Sequence, residues 1–152
     1  VVHGDAESLA GWRFDVDALD DPKEQAWRTE VFAKAEVEIF ASTHTCLPAM
    51  RHFDLEGKKL VANNGAAGMP NARGSCLGIL TRIGKTPSPY ARLYGHILQD
   101  VHVDALAIHY DDAAWQQRFL RNWPEGSPAW LSYFDRIAKG PDYNLEVAAV
   151  LS

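Results

Sequence analysis

Short apolar, β-prone runs alternate with helical patterns along the chain, five or six of the former and three or four of the latter. No internal repeat, low-complexity tract or long linker interrupts them. The alternation predicts an α/β fold in one compact unit spanning 1–152, a mixed sheet covered by helices. At 152 residues, 47% hydrophobic and 23% charged, the chain is long enough to bury roughly 70% of its unfolded surface. Disorder, collagen and coiled coil are excluded on the same grounds.

Local signals place the elements. Val1-Val2-His3-Gly4 is a β-branched pair running into a turn, with no Met and no leader before it. It reads as a strand in the middle of something, which predicts that the chain is the C-terminal part of a longer protein. Asp21-Pro22-Lys23-Glu24 marks a helix start, and Trp27, Val31 and Ala35 recur at helical spacing behind it. Val37 to Phe40 is a predicted strand. Its end carries His44 and Cys46 in a loop that Pro48 closes by stopping any ladder there. Leu60 to Asn63 and Gly78 to Ile83 are further strands, separated by the small and turn-forming stretch Asn64 to Asn71. Tyr94 to Leu98 and Val101 to Tyr110 form a hairpin around Gln99-Asp100. Asp111 and Ser127-Pro128 open two helices, and a third is expected after Asp142.

Charge and cysteine content bound the partners. Fifteen basic against twenty acidic residues give a net charge of −5, which argues against nucleic acid as a tight partner. A metal could still recruit one phosphate. No window reaches the ~18 apolar residues of a spanning helix, so no membrane is expected. The two cysteines, Cys46 and Cys76, are too few for a disulfide scaffold and fit a reducing, cytoplasmic setting.

His3, His44 and Cys46 are the foremost candidates for chemistry, since all three side chains bind borderline transition metals and two lie in a strand-end loop. The alternative is that His44 bonds to backbone and Cys46 is a small buried residue. Asp5 and Glu7 are candidates for bonding a ligand histidine from behind, against the commoner role of turn acids. Arg13 and Arg73 are weighed as phosphate partners, against ordinary exposure. His96, His102 and His109 do not converge in a strand reading and are structural. Trp115, Phe119, Trp123, Trp130 and Phe134 fall at helical spacing and are expected to pack as core.

The order Val1-Val2-His3-Gly4, then Thr43-His44-Thr45-Cys46-Leu47-Pro48, then Asn63-Asn64-Gly65-Ala66-Ala67-Gly68-Met69-Pro70 resembles the later motifs of the calcineurin-like metallophosphoesterases, over roughly residues 1 to 83. Those motifs are a strand ending in His-Gly, one ending in Gly-His-Thr-His-x-Pro, and one ending in Asn-Pro-Gly-Ser followed by Gly-x-Pro. The resemblance implies the C-terminal portion of an α/β/β/α sandwich that hydrolyses a small phosphorylated substrate, monoester or diester, by attack of hydroxide held between two divalent transition ions, Mn, Fe or Zn. It puts His3 and His44 on the positions that bind one ion and Cys46 on the position whose His binds the other. Asp5, Thr45 and Asn64 would stand behind them. Cys46 replaces a His, Thr43 a Gly, Asn64 a Pro and Ala66 a Ser. The family's earlier motifs, Asp-x-His, Gly-Asp-x-x-Asp and Gly-Asn-His-Asp/Glu, supply the bridging carboxylate and are absent from this chain. The missing N-terminal half is therefore the expected partner, and the chain alone is expected to be nearly inactive. Two other readings remain: a mononuclear zinc hydrolase on His3, His44 and Cys46, and a metal-free binding module.

Overall fold

Local capping explains where the helices start. The Asp15 carboxylate accepts from the Ala18 N–H (2.7 Å) and opens α1, Val16–Asp20. Asp21 accepts from Lys23 N and opens a 3-10 turn, Pro22–Glu24, which continues into α2, Gln25–Ala35. The expected helix start thus holds, with a short helix before it. In the computed structural model, residues 1–66 and 68–149 are described.

The strands are β1 (Ile39–Ser42), β2 (Pro48–Leu55), β3 (Gly57–Asn64), β4 (Leu77–Gly84), β5 (Arg92–Leu98) and β6 (Val101–His109). They divide between two three-stranded sheets, ordered β1-β3-β2 and β4-β6-β5, where one mixed sheet was expected. The α/β class holds. In the first sheet β1 runs parallel to β3, with Ser42 opposite Asn63, and β2 runs antiparallel. The second is antiparallel throughout.

Two expectations are corrected here. Pro48 does not stop the ladder but heads β2, an edge strand, at the first position, where a missing N–H costs little. Val1 to His3 is no regular strand: it runs along the edge of β1 with only Val2 N donating to Ala41 O (2.9 Å) and His3 O accepting from Thr43 N (3.2 Å). The β5/β6 hairpin closes as expected, Gln99 supplying the left-handed backbone (φ 52°) that Gly or Asn would ordinarily provide.

The first sheet is covered on both faces. Phe40, Ala49 and Val61 pack against Phe14, Leu19, Trp27, Val31 and Phe32 on the helical side. Met50, Leu60 and Ala62 meet Leu98 and Val103 of the second sheet on the other. Burial of these apolar side chains stabilises each by roughly 1.5–3 kcal/mol relative to exposure. Arg51 is the exception, a buried cation on β2. It forks onto Asp20 (2.6 and 2.9 Å) and donates to the carbonyls of Met50, Val147 and Ala148. The Asp20 hydrogen bond holds its pKa above the ordinary value.

The chain ends in α3 (Asp112–Asn122) and α4 (Pro128–Lys139), capped by Asp111 and Ser127. Their aromatic rings pack on one another, Phe119 tilted against Trp123 (5.0 Å) and stacked on Phe134 (6.0 Å), and Trp130 stacked on Phe134 (5.6 Å). The helix expected after Asp142 is a single 3-10 turn, Leu145–Val147. No described helix is long and apolar enough to cross a membrane.

Candidate functional site

β1 and β3 are parallel neighbours, so their carboxyl ends open onto one edge of the sheet, where α/β folds place their sites. The loop after β1 is tied to the loop after β3 by Thr43 Oγ1 donating to Gly65 O (2.8 Å). Thr45 is buried, and its hydroxyl accepts from Asn63 Nδ2 (2.6 Å). On either side of it His44 (φ 65°) and Cys46 (φ 67°) adopt left-handed backbone, costing roughly 1 kcal/mol each. Asn63 holds this conformation. Its amide also donates to Phe14 O (2.9 Å), and its carbonyl accepts from Gly65 N (2.9 Å).

The strain has a visible result. His44 Nδ1 faces His3 Nε2 at 3.1 Å, with ring centroids 4.9 Å apart, and His3 is exposed. That separation suits an N–H···N bond when one nitrogen is protonated. It is also close to the roughly 3.3 Å between two ligand nitrogens on tetrahedral zinc, given bonds of about 2.0–2.1 Å. Two imidazole nitrogens at that separation could serve one divalent ion as two of its ligands. Trp12 lies edge-on to His44 at 5.6 Å.

Cys46 does not join the pair. Its thiol donates to the carbonyl of His44 (3.3 Å), and among the described residues no three His, Cys, Asp or Glu side chains converge as a metal-holding group. His3, His44 and Cys46 are thus not gathered about one point. The residues expected behind the ligands also have other partners. Asp5 is buried, and its carboxylate accepts from the N–H groups of Glu7 (3.0 Å), Ser8 (3.0 Å) and Arg13 (3.3 Å), organising its own loop. Asn64 Nδ2 donates to Ile79 O of β4 (3.2 Å). Of the three, only Thr45 braces the histidine loop. Glu7 accepts from Trp27 Nε1 (2.8 Å), Arg13 pairs with Glu24 (2.9 Å) over the Trp27 ring, and Arg73 pairs with Asp142. Neither arginine is held toward the imidazoles. His96 stacks flat on His52 (4.9 Å, 9°) between β5 and β2, away from the pair.

Two residues emerge that sequence reasoning passed over. Asn63 was read only as the end of a strand, though its place in the third motif was signal enough to find it. Arg136 of α4 had no signal. Its Nη2 donates to Cys46 O (2.6 Å) and Pro70 O (3.3 Å), so one guanidinium clasps both strand-end loops from behind. Among the described residues its Nε has no partner, and burial pulls its pKa below the ordinary value. An open cavity of about 650 Å³ lined by Phe32, Glu36, Glu38 and Lys59 contains none of these groups.

Compared with family models, curated proteins and solved structures, the chain matches none.

Proposed function

We propose that this chain is the C-terminal portion of a metal-dependent phosphoester hydrolase built as an α/β/β/α metallophosphoesterase sandwich, with His3 and His44 holding one divalent transition ion. The observation that carries the reading is the 3.1 Å approach of His3 Nε2 and His44 Nδ1 at the carboxyl edge of the first sheet. A bound ion there supplies Lewis acidity toward a phosphoryl oxygen and lowers the pKa of water. The chain's own residues set the geometry: Asn63 and Thr45 fix the loop, Thr43 joins it to the loop after β3, and Arg136 backs both. The second ion and the bridging carboxylate belong to the N-terminal half, which is the proposed partner, and the substrate is a small phosphomonoester or phosphodiester. Cys46, bonded to the carbonyl of His44, lends the three-ligand zinc hydrolase no support. The free thiols Cys46 and Cys76 favour a reducing, cytoplasmic setting.

Calorimetric titration tests the reading. The chain is expected to take up one Zn²⁺ or Mn²⁺, with affinity falling at least tenfold in both His3→Ala and His44→Ala while the circular dichroism is unchanged. An aryl phosphate should be turned over only by a protein extended upstream to include the earlier motifs. Failure to bind either ion, or robust turnover by the 152-residue chain alone, overturns the proposal.

A further inference from the structure

On the helical side of β2, the end of α1, the 3-10 turn and the start of α2 leave an open cavity of about 550 Å³. Two buried guanidiniums line it, Arg28 of α2 at 5% and Arg51 of β2 at 6% exposure, together with Asp20 and the apolar side chains of Leu19, Pro22 and Phe53. The edge of β2 at Arg51 is already covered by the chain's own C-terminal segment: Met50 N donates to Ala148 O (2.6 Å), and Arg51 reaches the carbonyls of Val147 and Ala148. None of the cavity's residues belongs to the imidazole pair or to the loops that carry it.

The two cations differ in their partners. Arg51 is forked onto Asp20. Arg28 has no ion-pair partner among the described residues: Nη1 donates to the carbonyls of Ala18 (3.0 Å) and Asp21 (3.1 Å), Cζ lies 4.8 Å from the centre of the Phe53 ring, and Nε makes no hydrogen bond. The neighbouring acids are engaged elsewhere, Asp20 by Arg51, Asp21 by the N–H of Lys23 (2.9 Å) and Glu24 by Arg13 (2.9 Å). Burial pulls the Arg28 pKa below the ordinary value, and these three carboxylates offset it only in part. A lining of two guanidiniums against one carboxylate attracts one negative charge, and a buried cation gains most from a partner that hydrogen-bonds to it. We infer that this cavity binds a small organic monocarboxylate, its carboxylate accepting from the remaining donors of Arg28 and its apolar body lying against Leu19, Pro22 and Phe53. A carboxylate matches the planar fork of a guanidinium and brings the single charge that the lining lacks, where a phosphate dianion would exceed it. The inference does not rest on the imidazole-pair reading.

The test titrates the 152-residue chain with hexanoate and with hexanamide, its neutral counterpart, following the Arg28 Nε–H resonance in proton–nitrogen correlation spectra. Hexanoate is expected to bind about tenfold more tightly than hexanamide, the scale of one charge-assisted hydrogen bond, and to shift the Arg28 signal. Arg28→Met should bring the two probes level. Because Arg28 also holds the end of α1, Gln25→Glu provides a second variant. Gln25 lines the cavity and is exposed, and a carboxylate in the first turn of α2 favours the helix. Hexanoate binding should therefore weaken several-fold in Gln25→Glu while hexanamide binding and the circular dichroism stay unchanged. Equal binding of hexanoate and hexanamide by the native chain overturns the inference. So does acetate binding as tightly as hexanoate, hexyl phosphate binding more tightly, or a hexanoate affinity that Gln25→Glu leaves unmoved.

Discussion

The two sheets have the same number of strands but different surroundings. β1-β3-β2 is buried on both faces, by α2 and its neighbours on one side and by Leu98 and Val103 on the other. β4-β6-β5 shares one face with it. The opposite face leaves Leu80, Ile97 and Ile108 at 49%, 51% and 47% exposure and holds the buried Asp104 between Arg82 (3.4 Å) and Arg92 (3.2 Å). The candidate site lies on the sheet that is packed from both sides. Left-handed backbone at His44 and Cys46 is sustained only where the surroundings over-determine it, and the doubly covered sheet supplies that constraint through Asn63 and Thr45. The half-covered sheet contributes support, not site residues.

The largest expected effect tests this contrast directly. Leu60→Ala, at a fully buried position on β3, should cost roughly 2–5 kcal/mol by urea denaturation, because the cavity collapses only in part. Ile97→Ala on the outer face of the second sheet should stay within about 0.5 kcal/mol. A similar cost for both would mean that the outer face is covered in solution. Arg51 comes next. Arg51→Ala leaves the carbonyls of Val147 and Ala148 without their donor and should cost roughly 2–3 kcal/mol. Asp20→Ala should cost about 1 kcal/mol, since that carboxylate is half exposed. Equal losses would show that the ion pair, not the carbonyl contacts, matters.

Arg136→Met separates stability from the site. The guanidinium is partly desolvated with no carboxylate partner among the described residues, which offsets its hydrogen bonds, so thermal unfolding should register about 1 kcal/mol or less. Zinc affinity at His3 and His44 should nonetheless fall about tenfold, as for other groups that hold a ligand loop from behind. An unchanged affinity would reduce Arg136 to a packing residue. The smallest effect concerns the seam between the sheets. Burial, with help from His52 and Lys58, holds His96 below the ordinary histidine pKa. The unfolded chain therefore takes up this proton first, and folding stability should be full above about pH 6.5 and decline as pH falls through that value. Urea midpoints at pH 7.5 and 5.5 check it: His96→Asn should flatten the decline, and an unaltered slope would exclude His96 as its source.

Residues whose signals are local were read well. Asp21-Pro22, Asp111 and Ser127-Pro128 start helices because capping involves neighbours two or three positions away. β2 was missed because its local features point the other way: a proline at its head, and an arginine and a histidine within it. Arg51 is tolerable there only because Asp20 and two carbonyls nearly a hundred residues along the chain receive it. At the site, His3, His44 and Cys46 stood out as motif residues, while the bond from the Cys46 thiol to the carbonyl of His44 accompanies a left-handed turn at both positions, which residue type does not announce.

What the sequence determined by itself was the α/β class, the helix starts, the β5/β6 hairpin and the candidacy of the two histidines, since each follows from residue chemistry or contacts between near neighbours. What only the tertiary structure decided was the division into two sheets, the reassignment of Asp5 to its own loop, the bonds of Arg136 to both strand-end loops and the contact of Trp12 with His44. Each of these depends on which distant groups arrive at the same place. Arg136 reaches Cys46 across ninety positions of chain, and Trp12 meets His44 only because a folded loop and a strand end share one edge of the sheet. No periodicity encodes such meetings, because the free energy that selects them belongs to the packed whole.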